Sequence, residues 1–419
     1  MSRPANPSFV TITYATDVSY AAGALPWQGA PTKVAPAGMT TGVTPKSGFA
    51  AQSFNYLINY CAGSIATLKA TDGAILDFVG QVPVLNFFKG VLSGSFNASA
   101  WNPTQQTWYA GGLSAVLSYS VDGIAWTPIT LTSAAGETLS SIAQDPSGNM
   151  LVASLTRYAF DVPRVGANVK RDVFAAALTL TSSKALYDGI HSKWAVVGFV
   201  SGTAGIVVRN SLDRATWTAG ATNAATWTTS TTRFDADVSP FTGRIVGIGL
   251  VGANAVPATS DDDGATWTAR TSFTPTSGGS FTFSSLTADP ANSGAWFYAI
   301  GGSGTGLCAS SIYKSTDDGV TWTLLKAFVN THVKKVVRFG SMLVGYGNMR
   351  ASSVDTSSGG AASTVFSLDE GVTWLKSNQF IDPLNAGSDI AVGDGQLMVT
   401  GFGAMYASTR VGRSTTAAT

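Results

Sequence analysis

The sequence repeats one short motif, Ser-x-Asp-x-Gly-x-Thr-Trp, at intervals of about 50 residues. Three copies are complete and two earlier copies are one residue shorter, the second of which also lacks the glycine. The two shorter copies are separated by nearly two periods, which indicates one further repeat that has lost the motif. The motif residues, in chain order, are Ser120, Asp122 and Trp126; Ser211, Asp213 and Trp217; Ser260, Asp262, Gly264 and Trp267; Ser315, Asp317, Gly319 and Trp322; and Ser367, Asp369, Gly371 and Trp374.

The residue types of this motif fit a hairpin turn. Serine and aspartate oxygens can accept hydrogen bonds from the backbone N–H groups that a turn leaves unpaired, and glycine adopts a positive φ without a steric cost. Threonine and tryptophan then begin the outgoing strand, where the indole can cover the hairpin and contact the next repeat. Each motif therefore predicts a turn between two strands of a repeated sheet.

The motif resembles the Asp-box, or BNR repeat, of the sialidase-like β-propellers. Period-two strand patterns recur in the same order around each copy, and counting them predicts an all-β fold, a seven-bladed β-propeller over residues 81–411, with six blades as the alternative. The last repeat lacks an outer strand, so we expect residues 82–92 to supply it and to close the ring, which protects an exposed strand edge. Residues 412–419 are predicted to be a flexible tail.

Residues 1–80 lack the repeat and are predicted to form an attachment arm. An extended segment rich in proline and glycine leads into one predicted helix, over about residues 50–69, with an apolar stripe. This stripe would pack either on its own domain or on the same helix in other copies, as in a trimer. Gly42-Val-Thr-Pro45, followed by Phe54-Asn55-Tyr56-Leu57, resembles a segment near the start of phage tail-fibre and adaptor proteins. The proposed oligomer residues are Phe54, Leu57, Cys61, Ile65 and Leu68.

Composition excludes several function classes. Only 12% of the residues are charged and the formal net charge is +1, so the chain has no broad positive field for nucleic acid. The mean hydropathy is +0.18, yet no apolar run is long enough for a membrane span. The first residues do not read as an export signal, so we expect use without Sec export. Cys61 and Cys308 form no disulfide framework or metal pattern.

The sequence does not favour an enzyme. Sialidases carry an Arg-Ile-Pro signature in the first blade, whereas the first repeat here contains no arginine, and Arg244-Ile245-Val246 is the nearest match. Another glycosidase would need two opposed carboxylates, but most aspartates are explained by turns. The run Asp261-Asp262-Asp263 could indicate calcium, although its motif setting favours a turn. The two histidines, His191 and His332, are far apart. We therefore expect no enzyme, no cofactor and no metal.

Recognition is expected in the long connections on the face opposite the motif turns, because loops on a rigid scaffold commonly carry binding residues. These connections are predicted at residues 154–168, 219–233, 270–280 and 347–363. The candidate receptor-binding residues are Arg157, Tyr158, Trp227 and Arg350. The alternative is that the loops are tolerated insertions and that Trp227 covers a blade.

These features together predict a bacteriophage virion protein, a tail-fibre or receptor-binding component that is assembled in the host cytoplasm. Its arm would bind other virion proteins, and its propeller would bind a host-surface glycan or protein or would serve virion assembly. A carbohydrate-binding or glycoside-hydrolysing propeller and an intracellular assembly factor are the alternatives.

Overall fold

A computed structural model describes most of the repeat region. The described residues are 87–89, 95–174, 180–200, 206–220, 227, 231–276, 280–303, 308–329, 331–349, 361–376, 387–401 and 404–408. Contacts divide the chain into Met1–Pro83 and Val84–Thr419. The predicted helix at 50–69, its apolar residues and the tail at 412–419 lie outside the described residues.

The described strands form seven four-stranded antiparallel sheets. Sheets I to VI each use four consecutive strands, and sheet VII joins the last three strands to the first. Sheet I contains β2 (Phe96–Asn102), β3 (Thr107–Gly112), β4 (Leu117–Ser120) and β5 (Thr127–Ile129); sheet II contains β6 (Leu139–Gln144), β7 (Met150–Ser154), β8 (Tyr158–Val162) and β9 (Val169–Asp172). Sheet III contains β10 (Leu180–Asp188), β11 (Lys193–Val200), β12 (Ile206–Ser211) and β13 (Thr218–Ala219).

The remaining sheets follow the same order. Sheet IV contains β14 (Thr231–Val238), β15 (Ile245–Val251), β16 (Asn254–Ser260) and β17 (Thr268–Ala269). Sheet V contains β18 (Ser280–Ala288), β19 (Trp296–Ser303), β20 (Cys308–Ser315) and β21 (Thr323–Val329); sheet VI contains β22 (Thr331–Phe339), β23 (Met342–Met349), β24 (Ala361–Ser367) and β25 (Leu375–Lys376). Sheet VII contains β26 (Gly387–Gly393), β27 (Gln396–Gly401), β28 (Ala404–Ser408) and β1 (Phe87–Lys89). The described residues contain one short 3-10 turn, Leu113–Ala115, and no α-helix.

The sheets follow one another around a closed ring. The first strand of each sheet contacts the first strand of the next, from β2 to β26, and β26 contacts β2 again. Every one of these inner strands carries a register shift near its start, as between Phe96 and Ala98 in sheet I. A bulge bends a strand and increases its twist, so the same distortion at seven places gives neighbouring sheets the same curvature.

The apolar core lies between the sheets. Seven clusters of buried side chains are found among the described residues, one at each junction of neighbouring sheets. The cluster between sheets III and IV contains Val208, Trp227 and Phe234, and the cluster that joins sheets VII and I contains Met398 and Trp108. Burial of one large apolar side chain contributes about 1.5–3 kcal/mol, so every junction, with several such side chains, stabilises the ring.

The motif aspartate accepts backbone N–H groups in all five turns, and the motif serine accepts the N–H of a positive-φ glycine in four of them, as the residue types predict. In sheet V the Ser315 hydroxyl accepts the Gly319 N–H at 3.0 Å, and Asp317 Oδ1 accepts the Thr321 N–H at 2.8 Å. Gly319 has a φ of 83°, and an added Cβ would lie 2.7 Å from Val246 of sheet IV. The five tryptophans are half-buried, and the Trp322 indole N–H donates to the Gly319 carbonyl at 3.1 Å.

The predicted closure is confirmed by the pairing of sheet VII. β1 pairs antiparallel with β28, with Phe87 opposite Ser408, so the segment before the first repeat supplies the fourth strand of the last sheet. The all-β propeller prediction is confirmed by the sheet order and by the closed ring. No helix in the described part of the chain has the length and apolarity of a membrane span.

Candidate functional site

The connections of each sheet lie on two faces of the ring. The connections from first to second strand and from third to fourth strand share one face, which we call the motif face because it carries the five Ser/Asp turns. The connections from second to third strand and from one sheet to the next share the opposite face, which we call the loop face. This division follows from the antiparallel order of every sheet.

The motif-face aspartates are held as turn acceptors. Hydrogen bonds from the Thr216 and Ala215 N–H groups lower the pKa of Asp213 to about 2. In the other four turns burial acts to raise the pKa of the aspartate, but hydrogen bonds from the turn backbone and from the motif serine outweigh it and the net pKa is lowered. A catalytic acid needs the opposite shift, so these carboxylates are suited to structure.

Charged side chains on the inner strands connect neighbouring sheets near the axis. Lys184 of sheet III lies 3.2 Å from Asp235 of sheet IV, and Asp235 accepts the Leu286 N–H of sheet V at 2.8 Å. Asp389 of sheet VII lies 2.7 Å from Lys335 and accepts the Ser99 N–H of sheet I at 2.9 Å. These bonds satisfy backbone groups at the edges of the inner strands, which would otherwise lack partners.

Two of the predicted recognition residues, Arg157 and Tyr158, lie together on the loop face of sheet II. The Arg157 guanidinium carbon lies 4.8 Å from the centroid of the Tyr158 ring, and the Lys170 ammonium lies 3.7 Å from it. Arg157 donates to the Tyr158 hydroxyl at 2.7 Å and lies 3.5 Å from Asp172. Two cations therefore lie within about 5 Å of the centroid of the tyrosine ring, an attractive arrangement.

The buried carboxylate of Glu137 holds Lys170 and Thr156 in place beside Arg157 and Tyr158. Glu137 is 5% exposed, and it accepts hydrogen bonds from Lys170 at 2.9 Å, Ser154 at 3.0 Å and Thr156 at 2.5 Å. Burial acts to raise the pKa of Glu137, but these hydrogen bonds outweigh it, so the net pKa is lowered and the group is anionic at neutral pH. We call Glu137, Thr156, Arg157, Tyr158 and Lys170 the sheet II cluster. Sequence reasoning missed Glu137 and Lys170, because only the fold brings them to Tyr158.

Trp227 is not a surface recognition residue, and this prediction is wrong. Its side chain is fully buried, its indole N–H donates to the Val256 carbonyl at 2.9 Å, and its ring meets Phe234 and Trp267 edge to face. The position in a long connection suggested exposure, but a large aromatic ring gains more by packing between sheets III and IV. The alternative interpretation, that Trp227 covers a blade, is confirmed.

The predicted long loop at 154–168 is also wrong. The strand β8 occupies its centre, so the connection from second to third strand of sheet II is only the short segment 155–157. Residues 163–168 form the connection on the motif face, where the Ser/Asp turn has been lost. Arg350 and most of the connection 347–363 lie outside the described residues.

Comparisons with known proteins give the fold. No family model matches the chain, and no curated protein matches it. A solved structure titled YCF48 bound to D1 peptide is similar with a TM-score of 0.56 and 14% identity, covering 81% of this chain and 98% of that one. The Cps50 (Swd1) β-propeller domain of Myceliophteria thermophila is similar with a TM-score of 0.53 and 10% identity, covering 78% of this chain and 99% of that one.

The chain is a β-propeller. At these identities the similarity shows the architecture alone. The function therefore has to be argued from the side chains on the two faces of the ring.

Proposed function

We propose that this chain is a non-enzymatic binding protein of a bacteriophage particle, in which residues 1–80 attach to other virion proteins and the propeller contacts the host surface. Each four-stranded sheet is taken as one blade, which gives a seven-bladed ring whose hairpin turns belong to the Asp-box type. The arm motif that resembles tail-fibre and adaptor proteins supports the virion assignment.

The sheet II cluster is the observation that carries the binding proposal. Sheet II is the one sheet of consecutive strands whose motif turn is lost. Its outer strand β9, Val-Lys-Arg-Asp, carries three charged residues, whereas the outer strand of every other sheet carries at most one. The cluster holds an arginine and a tyrosine at the surface on a buried glutamate. Preorganised side chains lose little conformational entropy on binding, so this departure from the repeat fits a recognition site.

The chemistry of the cluster fits an acidic group on a glycan or protein of the host surface. A guanidinium can donate two parallel hydrogen bonds to a carboxylate, and the Arg157 side chain is 27% exposed. Asp172, its present partner, is 54% exposed and is easily displaced. YCF48, which has the same fold, was solved with a bound peptide, which supports a propeller of this shape as a binding scaffold.

The binding proposal is tested with purified protein on host cells. We expect Arg157→Ala to weaken cell binding by about tenfold or more, the value of one lost charged contact. Arg164→Ala is the matched control, because Arg164 is exposed on the motif face of the same sheet and its loss changes net charge equally. Equal binding by both variants would contradict the recognition role.

The arm is tested by measuring the mass of the full chain and of a chain that begins at residue 84. We expect a trimer that becomes monomeric on truncation, while the propeller remains folded. An arm-independent monomer that cleaves a glycoside would support the carbohydrate-processing alternative. In that case Asp237, whose pKa is raised by burial, is the carboxyl to replace first, because a raised pKa suits a general acid.

A further inference from the structure

In four motif turns the residue that follows the motif aspartate has a positive φ but is not glycine. Its side chain contacts the preceding sheet. These residues are Arg214, Asp263, Asp318 and Glu370. Arg214 of sheet III lies 2.7 Å from Asp161 of sheet II, and Glu370 of sheet VI lies 3.2 Å from Lys314 of sheet V. Asp318 of sheet V accepts a hydrogen bond from Thr242 of sheet IV at 3.0 Å. At these three junctions the contact joins groups of complementary charge or polarity.

The junction of sheets III and IV is different, because Asp263 meets a second carboxylate. The turn between β10 and β11 brings Asp188 and His191 to Asp263, and one ligand atom from each of the three residues lies within 4.8 Å of the other two. Asp188 and Asp263 are both 4% exposed. Two buried carboxylates at this distance repel each other, and the basic side chains that face them are Lys193, 2.6 Å from Asp263, and His191, 2.5 Å from Asp188.

Two of the three candidate ligand atoms are hydrogen-bonded to each other, and the third is buried without a hydrogen-bond partner among the described residues. Asp188 Oδ1 accepts the Ile190 N–H at 2.8 Å, so Oδ2 faces His191 Nδ1 at 2.5 Å. Asp263 Oδ2 lies 2.6 Å from the Lys193 ammonium, whereas Asp263 Oδ1, buried and 3.6 Å from His191 Nδ1, has no hydrogen-bond partner among the described residues. An unsatisfied buried carboxylate oxygen is costly, so this atom points to a ligand.

We propose that Asp188 Oδ2, His191 Nδ1 and Asp263 Oδ1 bind one divalent transition-metal ion of the zinc class. One imidazole and two carboxylates, with a water as fourth ligand, form a donor set that zinc accepts in tetrahedral geometry. Calcium takes six to eight oxygen ligands, so a site with a nitrogen donor and two available carboxylate oxygens does not suit it. The ion links the turn of sheet III to the turn of sheet IV.

The surroundings allow the small adjustment that metal binding requires. Ligand atoms at about 2.0–2.2 Å from zinc are about 3.3–3.6 Å apart in a tetrahedral site, so His191 Nδ1, now 2.5 Å from Asp188 Oδ2, has to move away by about 1 Å. The His191 side chain is 43% exposed and can move outward. Asp188 is held in place, because a Cβ added at Gly243 of sheet IV would lie 2.5 Å from its Oδ2, which leaves the carboxylate packed against backbone.

The proposal is tested by zinc titration of the full chain after treatment with a chelator. Calorimetry is expected to give about one bound zinc per chain, and cobalt is expected to produce visible d–d absorption of tetrahedral intensity. His191→Ala and Asp263→Asn should each weaken zinc binding by at least about tenfold. Both variants are expected to fold, because His191 is half-exposed and asparagine accepts the positive φ of position 263.

Asp318→Asn is the matched control, because it changes the same turn position of the next sheet, where no histidine is present, and it should leave zinc binding unchanged. Absence of binding at millimolar zinc would overturn the proposal. Zinc binding of equal strength in His191→Ala and Asp263→Asn would also overturn it, by placing the ion elsewhere on the chain.

Discussion

The motif face and the loop face of the ring are built on different rules. On the motif face the same serine, aspartate and positive-φ residue recur in turn after turn, and each turn bonds to itself and then to a neighbouring sheet. On the loop face the connections vary from one residue between β21 and β22 to eleven residues between β13 and β14. The repeated chemistry joins neighbouring sheets, so we propose that recognition uses the variable face.

The largest effect on stability is expected from Arg338→Ala on the motif face. Arg338 is 8% exposed and bonds the buried Asp289 of sheet V through Nε and Nη2 at 2.7 Å, and Glu370 through Nη1 and Nη2 at 2.9 Å. Removing the guanidinium leaves the Asp289 carboxylate buried with no opposite charge from Arg338, which costs about 3–5 kcal/mol. The free energy of unfolding in urea, followed by tryptophan fluorescence, measures the loss.

Lys314→Ala is the control for this change. Lys314 also pairs with Glu370, at 3.2 Å, but Glu370 is 50% exposed, and an exposed pair contributes about 0–1 kcal/mol. An equal decrease in the free energy of unfolding for the two variants would contradict the prediction that the buried Arg338 stabilises the junction of sheets V and VI more than the exposed pair does.

A smaller loss is expected from Ser315→Ala in a motif turn. Ser315 is 1% exposed, and its hydroxyl accepts the Gly319 N–H. Alanine leaves this buried donor without its partner, which costs about 1–3 kcal/mol. Thr274→Ala removes an exposed hydrogen bond to Asn254 on the loop face and should change the urea midpoint much less. Similar losses at the two positions would remove the distinction between the faces.

An acid-dependent effect is expected at Asp213. Because its folded pKa is about 2 and the ordinary pKa of an aspartate is 3.8, the ionised carboxylate stabilises the fold above pH 3.8. That contribution is lost as pH falls from 3.8 toward 2. Asp213→Asn keeps an acceptor oxygen but cannot titrate, so its urea midpoint should fall less steeply between pH 5 and pH 2 than that of the natural chain. Parallel curves for the two proteins would show that the turn carboxylate does not control acid stability.

The sequence predicts the motif face better than the loop face, for a physical reason. A Ser/Asp turn is local, so the residues that bond one another lie within six positions, and closure by the segment 82–92 follows from a missing strand in the last repeat. The sheet II cluster joins Glu137, Tyr158 and Lys170, which come together only when β8 and β9 pair. Trp227 shows the same limit, because no local pattern distinguishes a loop tryptophan that is exposed from one that packs between two sheets.

The group at Asp188, His191 and Asp263 was missed for a related reason. The sequence places His191 and the run Asp261-Asp262-Asp263 about seventy residues apart, so neither pattern alone indicates a shared site. The period of the repeat could have related the two segments. It places the turn between the first and second strands of one sheet beside the motif turn of the next sheet.

The smallest effect on stability is expected from Arg157→Ala in the sheet II cluster. Arg157 bonds the Tyr158 hydroxyl and the exposed Asp172, so its removal leaves no buried charge, because Glu137 keeps Lys170, Ser154 and Thr156. We expect the free energy of unfolding to change by no more than about 0.5 kcal/mol, measured in urea beside Arg338→Ala. A loss above about 1 kcal/mol, more than one solvent-exposed ion pair contributes, would mean that the cluster serves the architecture of sheet II. The proposed division between a motif face that stabilises the ring and a loop face that binds a partner would then no longer hold.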